Sequence, residues 1–215
     1  MKLAKLKKNS RHQKGTDGEG GWPKGQKPPY EVVLTPMPVQ PLKLDLGCGP
    51  NGKPGFLHVD QTAFPGVDVV LDLRGKWPWA DNSVEEAHSS HFIEHLDSME
   101  RVHFYNELYR VLKPGAKATI ITPHWASCRA YGDPTHKWPP VSEFAWYYLK
   151  RDWRMANAPH ADITNLAGGF SCNFEVTWGY GLEPGVAARN QEYQQHAMTY
   201  FKEACQDMFA TLVKV

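Results

Sequence analysis

Two short stretches hold the residues best suited to chemistry. In Leu44-Asp45-Leu46-Gly47-Cys48-Gly49-Pro50 an apolar run ends in two glycines, and Leu57-His58-Val59-Asp60 ends in an acid. Glycine has no Cβ, so Gly47 and Gly49 let bare backbone approach a ligand. An acidic residue closing the next strand is placed to accept both hydroxyls of a ribose. Together the two stretches announce a nucleoside-containing cofactor.

Spacing narrows the choice. Gly47-Cys48-Gly49-Pro50-Asn51-Gly52 matches the dinucleotide pattern G-x-G-x-x-G letter for letter. In a dinucleotide fold, however, the third glycine opens a helix that holds the pyrophosphate, and the acid lies about 20 residues further on. Here Pro50 to Gly55 cannot sustain a long helix, and Asp60 arrives too early. Without a helix dipole little remains to hold a pyrophosphate. The expected cofactor carries no phosphate.

From Leu42 to Val215 the chain resembles the class I S-adenosylmethionine-dependent methyltransferases, in particular their short-first-helix, type 11-like members. Several motifs carry the resemblance, in the family's order. Asp45, Gly47, Cys48, Gly49 and Pro50 fall in a segment similar to the first motif, which wraps the methionine part of the cofactor. Val59-Asp60, with Gln61 following, resembles the second, whose acid binds the ribose. Val70-Leu71-Asp72-Leu73 looks like the third, in which Asp72 and the Leu73 backbone would read the adenine edge. Trp77 to Val84 is similar to the family's Leu-Pro-Phe-x-Asp-x-Ser segment. Ser89, Ser90 and His91 follow the fourth strand, and Arg110 to Gly115 resembles the helix end before the fifth. The resemblance implies S-adenosyl-L-methionine as cofactor and S-adenosyl-L-homocysteine as product.

His91-Phe92-Ile93-Glu94-His95 offers a rival reading. It matches H-x-x-E-H, the inverted zinc-peptidase pattern, in which two histidines one helical turn apart bind the metal. No distant third ligand is identifiable, and the methyltransferases carry the same string after this strand. The expectation is no metal. Glu94 and His95 then help cap and pack a helix, while His91 faces the pocket mouth.

Ligands of open α/β sheets bind beyond the carboxyl ends of the strands. An acceptor therefore belongs above Ser89-Ser90-His91 and Thr122-Pro123-His124-Trp125. Tyr131 to Trp138 reads as a lid or wall, with turn chemistry at Gly132-Asp133-Pro134 and an acid/base pair in Asp133 and His136. In the alternative, Asp133 caps a turn and His136 bonds to backbone. Trp125, Tyr131 and Trp138 are candidates for a hydrophobic wall. A sulfonium methyl is already activated, so catalysis needs an in-line nucleophile about 3 to 3.5 Å away in a dry site. A hydroxyl or protonated amine also needs a base, most often histidine. His91, His124 and His136 are the candidates, with His124 preferred because it directly follows the strand beside the cofactor strand.

The elements that must position these residues alternate as in a Rossmann-like, doubly wound α/β fold: a mostly parallel seven-stranded sheet with an antiparallel last strand, in a three-layer sandwich. Candidate strands are Leu42–Leu46, Phe56–Asp60, Asp68–Leu73, Val84–Ser89, Lys117–Thr122, Phe174–Gly179 and Met208–Val215. The first two crossovers are shorter than the dozen or so residues that a parallel connection normally needs, so loops or single turns are expected there. One helix is predicted from Met99 to Leu112, with Ser98 as N-cap and Pro114-Gly115 as its stop. Its Tyr105, Leu108 and Leu112 share a face. A second helix should begin near Ser142 and carry Phe144, Trp146, Tyr147 and Leu149, and a third should run from about Asn190 to Cys205.

A chain of 215 residues suits one such domain, assigned to residues 41–215. Residues 1–40 read as a basic, Gly/Pro-rich flexible arm, in which Lys2, Lys5, Lys7, Lys8, Arg11 and Lys14 come with no acid among them. Only Tyr30–Leu34 is expected to pack on the domain. The net charge of +1 gives no global reason to expect nucleic acid. Four scattered cysteines and no apolar span or signal peptide point to a reduced, cytoplasmic chain. DNA-base amino-methyltransferases resemble one another in a [D/N/S]-P-P-[Y/F] motif where this chain has Ser89-Ser90-His91-Phe92; Lys27-Pro28-Pro29-Tyr30 echoes it only in the arm. A small metabolite, sugar or natural-product-like acceptor is the expected partner. The alternative is a non-enzymatic S-adenosylmethionine- or S-adenosylhomocysteine-binding module that acts on an RNA or protein through the basic arm.

Overall fold

The computed structural model describes residues 41–215; the proposed arm, Tyr30–Leu34 included, lies outside them. Seven strands form one sheet: β1 (Lys43–Leu46), β2 (Leu57–Asp60), β3 (Val69–Val70), β4 (Val84–Ser90), β5 (Leu112–Pro123), β6 (Phe174–Leu182) and β7 (Cys205–Lys214). Their order is β3-β2-β1-β4-β5-β7-β6. Every pairing is parallel except those of β7, which runs antiparallel to both β5 and β6. The strand order reverses between β1 and β4, and the carboxyl ends there form the crevice where such sheets bind ligands.

The crossovers from β1 to β2 and from β2 to β3 contain no helix, as their length requires. β3 is shorter than its predicted span because the Asp72 carboxylate accepts the Arg74 amide at 3.0 Å and turns the chain. Helix α1 (Ser98–Val111) is capped by Asp97, not Ser98. Asp97 accepts the Met99 and Glu100 amides while Glu100 accepts the Asp97 amide, a reciprocal capping box. The helix ends at Val111, one residue before the expected Leu112. Leu112 is already extended and opens β5. Pro114 and Gly115 lie where the register slips, since Val84 pairs with Leu112 but Glu86 with Lys117. The helix end is held instead by Lys214, whose ammonium donates to the carbonyls of Tyr109 (2.6 Å) and Leu112 (2.9 Å) and to Asn82 (2.8 Å). A cation there suits the negative end of the helix.

Phe104, Tyr105, Leu108 and Val111 of α1 are buried with Leu44, Leu46, Val59, Ala87 and Ile120 of the strands, and Phe104 meets Trp77 edge-on at 5.4 Å. Between β5 and β6 lie α2 (Arg129–Gly132), α3 (Glu143–Tyr147) and α4 (Arg151–Asn157). The helix expected from Ser142 is thus two short ones, with Trp146 and Leu149 buried and Phe144 exposed. A fully buried Arg154 holds this region together. It pairs with buried Asp162 at 2.8 Å and donates to the carbonyls of Tyr148, Phe170 and Cys172. Between β6 and β7, after α5 (Pro184–Ala187), α6 spans Gln191–Tyr200 behind an Asn190 cap. It ends five residues before the predicted Cys205, which already belongs to β7 and there pairs with Leu182.

Candidate active site

The glycine loop is built as its residues require. Gly47 (φ +70°) and Gly49 (φ +57°) both adopt the left-handed backbone, and the amides of Gly47 and Cys48 bond to the Val59 carbonyl. A Cβ on Gly47 would lie 2.3 Å from the Phe92 ring, so glycine is needed there for space as well as conformation. Asp60 accepts the Gly49 amide at 2.9 Å and the Thr62 amide at 2.8 Å. A carboxylate has about four acceptor positions, so Asp60 orders the loop and keeps capacity for a ligand's hydroxyls. Burial, then the negative charges of Asp45 and Asp60, push the Cys48 thiol up to about 11. It remains a neutral thiol and not a nucleophile.

Other predicted cofactor residues are engaged by the protein. Asp45 is buried and accepts the Lys53 amide (2.6 Å), with His88 Nδ1 at 2.7 Å. It shapes the loop from behind. Ser89 is buried and donates to the Leu46 carbonyl at 2.8 Å, clipping β4 to β1, so its hydroxyl is not offered to a ligand. Asp72 is exposed, but Arg74 binds it through Nε and Nη2 at 2.8–3.2 Å and holds its pKa below the usual carboxylate value. Gln61, Leu71, Asp72, Leu73 and Arg74 line a cleft of about 60 Å³ whose other wall is Phe92, His95 and Leu96. Pro50 stands exposed at the loop's outer edge, and half-buried Ser90 ends β4.

On the acceptor side the three histidines differ sharply. His124 is buried; its Nε2 lies 3.0 Å from Glu143 Oε1 and its Nδ1 accepts the Ala126 amide. Both nitrogens are committed, which removes the preference for His124 as base. Asp133 accepts the Thr135 amide and hydroxyl, so it is a turn cap, and it stands 3.9 Å from His136. The expected Asp133/His136 pair meets only as this long ion-pair contact, with no hydrogen bond between the two. His136 Nδ1 faces the Ala130 carbonyl at 3.2 Å.

His91 is different. It takes the left-handed backbone (φ +53°) directly after β4, and its side chain is 38% exposed. Nδ1 lies 3.3 Å from Glu94 Oε1 and Nε2 lies 3.9 Å from Asp207 Oδ1. Both oxygens are buried and lack an aligned hydrogen-bond donor. Glu94 Oε2 takes the Thr122 hydroxyl at 3.2 Å, and Asp207 Oδ2 takes Arg129 at 2.7 Å. The close Glu94 carboxylate outweighs burial and holds the His91 pKa above its ordinary value. Trp125 and Tyr131 are exposed beside this face, with Trp125 Nε1 donating to Glu143 and the Tyr131 hydroxyl bonded to the Trp125 carbonyl. Trp138 is the most exposed aromatic among them.

Residues 48–120 match the family described as a methyltransferase domain. A structure of a SAM-dependent methyltransferase from Archaeoglobus fulgidus superposes with a TM-score of 0.57 at 17% identity, covering 82% of this chain and 87% of that one. The match to a methyltransferase domain thus covers residues 48–120, and the fold is shared with a SAM-dependent methyltransferase. Geranyl diphosphate C-methyltransferase from Streptomyces coelicolor A3(2) scores 0.48 at 15% identity, covering 82% and 73%. A putative S-adenosylmethionine dependent methyltransferase from Listeria monocytogenes scores 0.47 at 14%, covering 82% and 92%. No curated protein matches in sequence. Among the described residues, no helix is long and apolar enough to cross a membrane.

The domain gathers Gly47, Gly49, Asp60, Gln61, Asp72, Leu73 and His91 at one end of the sheet. Sequence reasoning missed Arg74, Arg129, Glu143 and Asp207. The Asp72-x-Arg74 spacing was a usable signal for the first. Nothing local marked Asp207, which reaches the site only because β7 pairs with β5 and sets it opposite Pro123.

Proposed function

We propose that the protein transfers the methyl group of S-adenosylmethionine to a hydroxyl or amine of a small molecule, with His91 as the base. The observation that carries this reading is the half-exposed His91 imidazole between the Glu94 and Asp207 carboxylates at the carboxyl end of β4. The cofactor's sulfonium supplies an activated methyl carbon. That methyl would go to the acceptor's oxygen or nitrogen, with the cofactor leaving as a neutral thioether. The acceptor's proton passes to His91, and the two carboxylates stabilise the imidazolium that forms. The Gly47–Gly49 backbone and Asp60 bind the cofactor. Gln61 and the Asp72–Arg74 turn flank its nucleoside end.

A small acceptor fits the compact wall of Trp125 and Tyr131 and the absence, among the described residues, of a separate recognition domain. The test is to incubate the protein with methyl-labelled S-adenosylmethionine and a size-fractionated cell extract. Label is expected in a low-mass product of the small-molecule fraction. Transfer into RNA or protein alone would contradict the acceptor class.

A further inference from the structure

The motif His91-Phe92-Ile93-Glu94-His95 has a use that methyl transfer does not absorb. His91 has a left-handed backbone and lies between Glu94 and Asp207, and the cluster with metal-ligand spacing includes His95 but not His91. Instead Glu94 and His95, on a single 3-10 turn (Ile93–His95), meet His136 from the wall that follows α2. One ligand atom from each of the three lies within 4.8 Å of the others.

We propose that Glu94, His95 and His136 bind a divalent transition-metal ion of the zinc class, tying the 133–138 wall to the turn after β4. Donor and acceptor logic supports the site. His136 Nδ1 faces the Ala130 carbonyl, which only accepts, so the proton sits on Nδ1 and the Nε2 lone pair is free. Asp133 takes the Thr135 hydroxyl proton at 2.7 Å, which leaves Thr135 as acceptor for His95 Nδ1 at 3.0 Å. His95 Nε2 therefore also carries a lone pair. Anchoring the far ring nitrogen on a carbonyl or a hydroxyl–carboxylate relay is how metal-binding histidines are oriented.

Glu94 supplies the charge. Its residue is only 4% exposed, yet Oε1 has no aligned hydrogen-bond donor. Its one close polar neighbour is His91 Nδ1 at 3.3 Å, without hydrogen-bond alignment; a buried carboxylate oxygen so poorly satisfied is costly, and a cation would satisfy it. Two imidazoles and one carboxylate make a donor set that suits zinc and leaves a fourth position to water. Bonds of about 2.0–2.2 Å would draw the three groups together by roughly 1 Å. The wall is already hinged for this, because the Lys137 amide bonds to the Glu94 carbonyl at 2.8 Å.

The full chain, stripped with a chelator, is titrated calorimetrically with zinc chloride, and cobalt(II) is then added to read the d–d absorption of a low-symmetry site. One ion per chain is expected. His95→Ala and His136→Ala should each weaken it by about tenfold or more, since even the loss of an outer-shell partner costs about that much. The exposed His196, placed on α6, serves as control, and His196→Ala should bind as wild type. Absence of uptake, or uptake unchanged in both variants, would overturn the proposal. Should His136→Ala not fold, His136→Gln carries the same test. S-adenosylhomocysteine affinity of the metal-free wild type is read alongside, so failure of the cofactor assignment is distinguished from failure of the metal site.

Discussion

Replacing His91 by alanine is expected to lower methyl transfer by about 100-fold or more, the usual worth of general acid–base catalysis, while S-adenosylhomocysteine binding changes little. The split follows from position. The proposed cofactor site is the Gly47–Gly49 backbone, Asp60 and the cleft beside Asp72, whereas the His91 ring points between Glu94 and Asp207. His124→Ala should behave differently. Both of its ring nitrogens are engaged inside the protein, by Glu143 and the Ala126 amide, so its loss should appear first in thermal stability. Single-turnover rates and binding isotherms on the two variants check this. A His91→Ala enzyme transferring methyl groups at the wild-type rate, or a stable His124→Ala enzyme slowed 100-fold, would reverse the assignment.

Arg154→Leu is expected to destabilise the domain by about 3 to 5 kcal/mol, because it strands a buried carboxylate. Set against a typical total of about 5 to 15 kcal/mol, that approaches unfolding. Arg154 is fully buried, pairs with Asp162 and satisfies three carbonyls of the β5–β6 connection. Burial alone would raise the Asp162 pKa, but the Thr164 amide and the Arg154 guanidinium overrule it and hold it below the ordinary value of 3.8. A depressed carboxyl pKa contributes stability that is fully present above the unfolded value and lost as pH falls through the folded one. Part of the acid limb of the stability curve should therefore vanish in the variant. Urea unfolding at neutral and acidic pH reads both effects. A loss under about 1 kcal/mol would mean that Asp162 finds solvent or another partner.

What the sequence made legible was local. The apolar run into Gly47 and Gly49, Asp60 at the end of β2 and the buried stripe of Tyr105, Leu108 and Leu112 follow from glycine chemistry and from the 3.6-residue period. The helix cap was misread by one residue although its signal was present, since Asp97-x-x-Glu100 is a capping-box pattern. Pro114-Gly115 misled because a proline–glycine pair reads as a stop, while here the stop had already come and the pair fills a register slip in β5. The burial of His124 is invisible to strand order. Asp207 beside His91, Lys214 on the end of α1 and Arg154 among three carbonyls join residues far apart in the chain. Sheet register and packing create those pairs, and no spacing rule encodes them.

The proposed activity requires a phosphate-free nucleoside cofactor at the carboxyl ends of β1, β2 and β3. Calorimetric titration of the purified protein with S-adenosylhomocysteine, with NAD as the rival ligand, tests this most directly. One site for S-adenosylhomocysteine and no response to NAD are predicted. In Asp60→Ala the affinity should fall by about 1.5 to 3 kcal/mol, the range for hydrogen bonds to charged groups. Binding of NAD alone, or a folded Asp60→Ala variant that holds S-adenosylhomocysteine as tightly as wild type, would contradict the assignment.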